Sequence, residues 1–340
     1  MKGILLLNLG TPDSPSPQDV KKYLAEFLMD PWVIDIPYPA RLALVYGIIL
    51  NTRPKKSAEA YQKVWGDRGS PLLFHSLDLA SRVQDRLYPQ RKVALAMRYG
   101  NPSIASALKK LQESEVDDLL VIPLYPQYSL AATQSSIEKV KKELKKLKWQ
   151  PDKLAFVESF YEDAGFIQSF RQRFAVEKKS FNADYVLFSY HGLPERHCKK
   201  TDDTGRYCLR SETCCNAIVE ANKNCYRAQC FATTRELVAT LGLGPSEYSV
   251  SFQSRLGRST WIKPYTDFVL KELAAKGVKR LLVTCPSFVA DCLETVEEIA
   301  IRAREDFKAA GGEDLRLVPS LNAETAWVDA VVSLIEQNQR

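Results

Sequence analysis

Residues 4–12 read ILLLNLGTP and residues 185–194 read YVLFSYHGLP, two largely apolar runs that each lead through a glycine into a proline. A short apolar run that ends in a glycine turn is typical of a buried strand. Strands of a parallel sheet are buried on both faces and therefore carry nearly continuous apolar runs. The two stretches thus predict the opening strands of two parallel sheets.

The remaining apolar runs extend this plan into two series of four strands. The predicted strands are residues 4–9, 93–99, 119–125 and 154–159 in the first series, and 185–190, 248–253, 281–285 and 315–319 in the second. Because helical patterns separate them, the sequence predicts an α/β fold of two similar Rossmann-like halves, each a four-stranded parallel sheet flanked by helices. We expect a first half at 1–160, joined by a C-terminal helix at 322–340, and a second half at 161–321.

Polar residues follow the predicted strands, at the edge of a parallel sheet where ligands bind. The sequence therefore predicts an active-site cleft between the two halves. A dinucleotide-binding fold is the competing interpretation, but neither glycine turn contains Gly-x-Gly-x-x-Gly and the chain has no Walker A motif. Nucleotide binding is accordingly disfavoured.

Composition and charge narrow the classes of partner. The 340 residues carry a formal net charge of +6, which suits carboxylates or an anionic membrane surface but is too small to indicate nucleic acid binding. No run of about 18 apolar residues indicates a transmembrane helix. The nearest candidate, residues 32–50, is interrupted by Asp35, Pro37 and Arg41. We expect a cytoplasmic protein that is at most peripheral to the inner face of the membrane.

His191 is one of three histidines and follows the opening strand of the second half. A histidine in a cleft can accept protons near neutral pH. A hydrogen-bonded structural histidine in a turn explains this position equally well when it is considered alone.

An acidic segment follows the third strand of the second half. If the segment is helical, Asp291, Glu294 and Glu298 lie at i, i+3 and i+7 along one face. Such a row of oxygen ligands suits a hydrated divalent cation, although acidic residues at the start of a helix also favour the helix dipole. The presence of His191 at an equivalent strand end adds weight to the functional interpretation.

Ordered motifs along nearly the whole chain resemble those of the ferrochelatase family. The matching segments are residues 7–12, 27–30, 33–37, 69–72, 97–99, 124–129, 189–194, 252–255, Trp261 and 288–295. The resemblance implies a chelatase-like fold and a lyase that inserts Fe²⁺ into protoporphyrin IX, forming haem and two protons in the last step of haem biosynthesis. A coproporphyrin chelatase and a non-catalytic haem-binding or iron–sulfur sensor protein are the alternatives.

The same resemblance implies roles for individual residues. His191 and Glu294 would be catalytic, and both would handle the metal together with Asp291 and Glu298. The residues implied in porphyrin binding are Arg53, Tyr61, Ser70, Arg98, Tyr99, Tyr125, Ser254, Trp261 and Phe288. Some relatives carry a histidine where this chain has Cys292.

Residues 32–50 resemble the lip of the porphyrin site in that family. Because porphyrins partition into lipid, this segment is a candidate interfacial helix in contact with the membrane. An ordinary buried helix is equally compatible with its sequence. The oligomeric state is left open by the sequence.

Six of the eight cysteines lie in an insertion at residues 198–230. Cytosolic thiols stay reduced, so this density indicates metal ligation by thiolates. The insertion lacks the Cys-x-x-Cys pair of a zinc ribbon, and some ferrochelatases carry a [2Fe–2S] cluster, which the resemblance implies here. Zinc and free thiols are the other interpretations.

The predicted cluster ligands are Cys208, Cys215, Cys225 and Cys230. Two vicinal cysteines on one cluster would strain the backbone, so Cys214 is an alternative to Cys215.

Overall fold

The structure is a computed structural model that describes residues 1–255, 257 and 259–339. One sheet comprises β1 (Lys2–Thr11), β2 (Arg91–Gly100), β3 (Asp118–Pro123) and β4 (Lys153–Phe156), and a second comprises β5 (Tyr185–His191), β6 (Tyr248–Gln253), β7 (Arg280–Thr284) and β8 (Asp314–Leu317). All pairings are parallel, and the strand orders β2-β1-β3-β4 and β6-β5-β7-β8 are equivalent. The predicted fold class is confirmed.

Helices connect the strands in both sheets. Those preceding β5 are α1 (Pro17–Leu28), α2 (Tyr38–Leu42), α3 (Leu50–Thr52), α4 (Pro54–Val64), α5 (Pro71–Leu87), α6 (Ile104–Glu113), α7 (Ser135–Lys146) and α8 (Ala164–Phe181). Those following β5 are α9 (Glu195–Lys200), α10 (Tyr226–Leu241), α11 (Thr266–Ala275), α12 (Leu293–Thr295), α13 (Arg304–Ala309) and α14 (Thr325–Asn338). A short 3₁₀ turn spans Glu220–Asn222, and π-helical segments span Ala43–Ile49, Leu130–Gln134 and Val296–Ala303.

The first compact unit comprises Met1–Tyr125, Leu130–Ser159 and the C-terminal segment from Asn322. Residues 4–7 of its central strand β1 are fully buried. The C-terminal helix α14 is tied to α5 by an ion pair between Arg86 and Asp329 at 2.8 Å. Arg340, the last residue of the predicted 322–340 helix, lies outside the described residues.

The second compact unit comprises Phe160–Leu321 together with Pro126–Ser129. Leu187 of β5 and Val283 of β7 are fully buried and pack in one core with Phe307 of α13. Burial of such side chains contributes about 1.5–3 kcal/mol each relative to exposure. The strand ends of this sheet are therefore held on a rigid support.

The observed elements differ from the predicted ones mainly at strand ends. β3 stops at Pro123, and β4, an edge strand paired only with β3, covers four residues. The acidic segment after β7 becomes helical only from Leu293, so Asp291 precedes the helix that carries Glu294 and Glu298, and residues 296–303 are π-helical rather than α-helical. Apolar periodicity cannot reveal the extra residue in each π turn, a feature that is frequent at functional sites.

Among the described residues, no helix is both long enough and apolar enough to cross a membrane.

Candidate active site

His191 is the last residue of β5, where its backbone lies opposite Gln253 of β6. Its Nδ1 is 2.6 Å from the carbonyl oxygen of Gly192. Because a carbonyl oxygen only accepts hydrogen bonds, this contact assigns the proton to Nδ1 and leaves Nε2 as the acceptor nitrogen. The ring of Phe288 packs edge-on, with 6.3 Å between the ring centroids. The side chain of His191 thus lies at the end of a buried strand, with Nε2 as the nitrogen that can accept a proton.

The glycine after His191 is required by close packing. The N–H of Gly192 donates to the carbonyl oxygen of Gln253 at 2.7 Å. A Cβ at this position would lie 2.6 Å from that same oxygen and 3.3 Å from the ring of Trp261. Trp261, predicted to bind porphyrin, therefore packs directly against the turn that follows His191.

Asp291 anchors the acidic segment. Its Oδ1 accepts hydrogen bonds from the hydroxyl of Thr295 at 3.0 Å and from the backbone N–H of Ser320 at 3.1 Å. These bonds join the turn before α12 to the segment that follows β8. They fix the position from which Glu294 and Glu298 continue along the helix.

His191 and Glu294 both lie close enough to Glu298 to shift the pKa of its carboxyl group. Burial raises the pKa of Glu298, and the neighbouring Glu294 raises it further. The Ser254 hydroxyl, the Arg302 guanidinium and His191 each lower that pKa, and a raised value remains. The structure therefore brings together three of the four residues predicted to handle the metal.

The hydroxyl group of Ser254, a residue predicted to bind porphyrin, is hydrogen-bonded to a carboxylate of the protein itself. Its hydroxyl donates to Glu298 Oε2, and its backbone adopts a left-handed φ of 64°. Non-glycine residues in this conformation are strained and cluster at functional sites. Gln253, which sequence reasoning had not singled out, donates from Nε2 to the carbonyl oxygen of Glu294 at 2.8 Å.

In the first unit, Arg98 and Tyr99 converge on a carboxylate that the sequence had not assigned. Arg98 and Tyr99 both donate to Asp30, the tyrosine hydroxyl at 2.8 Å, and Ser135 donates to the same oxygen at 2.5 Å. The Nε of Arg98 also donates to Ser135 at 2.7 Å. Burial raises the pKa of Tyr99, so its hydroxyl stays protonated. A buried arginine needs a paired carboxylate, and that requirement is the signal that could have pointed to Asp30.

This network borders a cavity of about 610 Å³ in the first unit, lined by residues that include Asp30, Arg98, Trp32 and Tyr46. The volume lies within the range of small-molecule sites. Asp30 Oδ1 accepts the backbone N–H of Trp32 at 2.8 Å, so the network also fixes the start of the predicted lip.

The other predicted porphyrin residues of the first unit differ in exposure. Arg53 is exposed at the start of α4, whereas Tyr61 is buried beside Trp65, with ring centroids 6.1 Å apart. Ser70 is buried at the start of α5. Tyr125 is the last residue of the segment Met1–Tyr125 of the first unit, and burial raises the pKa of its hydroxyl group.

All six cysteines of the insertion are buried. The thiols of Cys198, Cys208 and Cys215 hydrogen-bond to Cys225, which lowers the pKa of Cys225 well below its usual range. Burial raises the pKa of Cys230, whose side chain bonds that of Tyr226 instead. Cys198, which was not among the predicted ligands, thus joins three that were.

Asp202 braces the loop that carries these cysteines. Its carboxylate accepts hydrogen bonds from the Thr204 hydroxyl at 2.6 Å and from the backbone N–H groups of Tyr207 and Cys208 at 2.7 and 2.8 Å. These donors lower the pKa of Asp202 to about 2. The loop therefore depends on an ionised carboxylate.

The sequence model of the ferrochelatase family matches residues 1–339. A ferrochelatase of Coxiella burnetii is 48% identical over 99% of this chain and 93% of its own length. A ferrochelatase of Legionella pneumophila is 46% identical over 99% of both chains. The chain belongs to the ferrochelatase family. Family membership confirms the predicted metal-chelatase activity, a lyase reaction of haem biosynthesis with porphyrin and Fe²⁺ as substrates.

Solved chelatase structures share the fold of this ferrochelatase family member. SirB from Bacillus subtilis with Fe³⁺ has a TM-score of 0.53 at 10% identity, covering 99% of this chain and 95% of its own. CbiX, described as the terminal enzyme of sirohaem biosynthesis in denitrifying bacteria, has a TM-score of 0.51 at 14% identity, covering 99% of both chains. These similarities confirm the chelatase-like architecture.

We predict that Asp202→Asn destabilises the chain in a pH-dependent way. A carboxylate whose pKa is lower in the folded than in the unfolded state adds stability above pH of about 4, and this stability is lost as pH falls towards about 2. The melting temperature of Asp202→Asn should therefore lie below that of the wild type at pH 7, and the gap should close in acid.

The neighbouring exposed residue provides the control, since Asp203→Asn should leave the melting temperature unchanged at each pH. A gap for Asp202→Asn that stays constant from pH 7 to about pH 3 would contradict the assigned role of the carboxylate.

Proposed function

We propose that this ferrochelatase family member inserts Fe²⁺ into protoporphyrin IX, with His191 and Glu294 at the reacting centre. The observation that carries the proposal is the shared environment of His191, Glu294 and Glu298 at the strand ends of the second unit. Metal insertion must remove two protons from the macrocycle and deliver one divalent cation. A neutral histidine supplies a proton acceptor, and carboxylates supply hard oxygen ligands for the metal.

His191 is assigned to accept the two pyrrole protons, one after the other. Its Nδ1 proton is held by the carbonyl oxygen of Gly192, so Nε2 is the nitrogen that can accept. Glu298 can take a proton onward, because its raised pKa lets it bind a proton closer to neutral pH than an ordinary carboxyl. Glu294, beside it, is assigned to the incoming iron, and Asp291 holds the turn that positions both.

Porphyrin contacts are assigned separately in each unit, following the resemblance. In the first unit these are Arg53, Tyr61, Ser70, Arg98, Tyr99 and Tyr125, and in the second Ser254, Trp261 and Phe288. Arg53 is the exposed cation of this set and suits a propionate. Arg98 and Tyr99 are already bonded to Asp30, so we assign them to shaping the wall rather than to binding charge.

We predict that His191→Ala lowers the rate of iron insertion by roughly 10²-fold or more, because a positioned proton acceptor contributes on that scale. Protoporphyrin binding, followed by its absorption spectrum, should persist. His75→Ala serves as the histidine control and should keep wild-type turnover. Assays with protoporphyrin IX and coproporphyrin side by side test the substrate. Wild-type turnover by His191→Ala, or no turnover with either porphyrin, would refute the proposal.

We further propose that the cysteine insertion holds a [2Fe–2S] cluster ligated by Cys198, Cys208, Cys215 and Cys225. The four thiols meet around Cys225, and four cysteine thiolates are the donor set of this cluster. Among the described residues, no group of three or more His, Cys, Asp or Glu side chains is positioned to hold a metal ion. Each iron of a binuclear cluster takes two thiolates, so four converging thiols match this donor set in number, as they also match a zinc site with four cysteines.

This ligand set replaces Cys230 of the sequence-based set with Cys198. Cys230 is fully buried and bonded to Tyr226, whereas helix α9 brings Cys198 to Cys225. Arg227 donates to the sulfur of Cys215 at 3.1 Å and would help to stabilise a thiolate there. Metal insertion changes no oxidation state, so a cluster would brace this loop rather than take part in the reaction.

Cys225→Ser should abolish the visible absorption of anaerobically purified protein, together with its acid-labile sulfide and about two irons per chain. Cys230→Ser is the matched control, since both side chains are buried, and it should keep all three signals. Far-ultraviolet circular dichroism shows whether each variant is folded. If Cys230→Ser loses the three signals while Cys225→Ser keeps them, the proposed ligand set is wrong. If the wild-type protein is colourless or contains zinc instead of iron, the proposed cluster is wrong.

We also propose peripheral membrane contact through residues 32–50. Four apolar or aromatic side chains are exposed on α2 and the π-helical segment after it, namely Tyr38, Leu42, Tyr46 and Ile48. The exposed cations Arg53, Lys55 and Lys56 follow in sequence. Apolar residues beside basic ones are typical of segments that lie in the interface of an anionic membrane.

Ile48→Ser should weaken binding to anionic lipid vesicles roughly fivefold, because it removes one side chain from the apolar contact. Val176→Ser on α8 is the control, since Val176 is 63% exposed and Ile48 59%. Co-sedimentation with vesicles measures both variants. Equal binding by the two variants, or no binding by the wild type, would argue against this surface.

A further inference from the structure

The acidic row of the second unit ends in a positive charge. Glu294, Glu298 and Arg302 recur every four residues, and the last two lie in the π-helical segment, where Arg302 contacts Glu298 directly. The guanidinium of Arg302 lies 2.8 Å from Glu297 Oε2 and 3.4 Å from Glu298 Oε1. The row therefore carries negative charge near His191 and positive charge at its last residue, Arg302.

Exposure shows which end of the row faces solvent. The side chain of Glu298 is 22% exposed and that of Arg302 is 54% exposed, whereas Asp291 at the other end is buried. The second oxygen of Glu298 already accepts a hydrogen bond from Ser254. A cation that approached Glu298 from solvent would therefore meet the guanidinium first.

An arginine at this point is a permanent obstacle to other cations. It stays charged throughout the accessible pH range and offers no acceptor atom to a metal ion. A divalent cation could bind Glu298 from this side only by displacing the guanidinium from both carboxylates.

We propose that Arg302 closes the solvent-exposed end of the acidic row to divalent cations, so that iron does not reach Glu298 from solvent at this end. Arg302 is thus a specificity-determining residue that keeps adventitious divalent ions out of the row. The inference rests on the proposed role of Glu294 and Glu298, but it concerns how divalent cations reach these carboxylates and not how the metal is inserted. It differs from a purely structural role, in which the hydrogen bonds to Glu297 and Glu298 matter and the charge does not.

Mn²⁺ binding to the porphyrin-free full-length protein, measured by electron paramagnetic resonance, tests the proposal. Arg302→Gln keeps a hydrogen-bond donor but removes the charge, and it should bind Mn²⁺ at least about tenfold more tightly than the wild type. Arg302→Lys keeps the charge and should bind like the wild type. Arg304→Gln is the matched control: this arginine is 49% exposed, pairs with Asp314 at 2.6 Å and should also behave like the wild type.

Adding Glu298→Gln to Arg302→Gln should remove the gained affinity, which locates the ion at the row. Unchanged Mn²⁺ affinity in Arg302→Gln, equal gains in Arg302→Gln and Arg302→Lys, or a gain that survives Glu298→Gln would each overturn the proposal. Because the assay contains no porphyrin, these outcomes are independent of whether His191→Ala stops iron insertion.

Discussion

The side chain of Gln253 ties the strand that ends in His191 to the helix that carries the carboxylates. Its Oε1 accepts from Ser189 of β5 at 2.7 Å, and its Nε2 donates to the carbonyl oxygen of Glu294 and lies 3.5 Å from Glu298. Its backbone meanwhile pairs with β5 and accepts from Gly192. Leaving any of these buried groups unpaired would cost about 1–3 kcal/mol. The spacing between the histidine and the acidic row is therefore set by one amide.

Charge is balanced in opposite ways in the two units. In the first unit Asp30 is surrounded by the donors Arg98, Tyr99 and Ser135, so its negative charge is satisfied. In the second unit Arg302 pairs with both Glu297 and Glu298, and burial together with the neighbouring Glu294 still leaves the pKa of Glu298 raised. Unbalanced buried carboxylates favour a proton or a cation, which are the two species that metal insertion moves.

The cysteine insertion shows how a loop without regular structure can be held in place. Asp202 collects the N–H groups at its start, and Asn222 donates to the carbonyl oxygens of Cys214 and Ala217 at 2.8 and 2.9 Å. These side chains satisfy backbone groups that a sheet or helix would otherwise pair. The thiols of Cys208 and Cys215, which lie in this irregular stretch, can then converge on Cys225 at the start of α10.

The sequence by itself determined the α/β class, the strand positions and the placement of His191 and the acidic segment, because these depend on local apolar periodicity and on where a strand ends. It also showed the motifs of the ferrochelatase family. The tertiary structure alone decided which side chains meet: Asp30 with Arg98, Gln253 with Glu294, and Cys198 rather than Cys230 with Cys225. These partners are distant in the chain or follow an irregular path, and the π-helical geometry of residues 296–303 cannot be read from apolar periodicity. Contacts of this kind arise from packing and hydrogen-bond satisfaction in three dimensions, which local pattern does not encode.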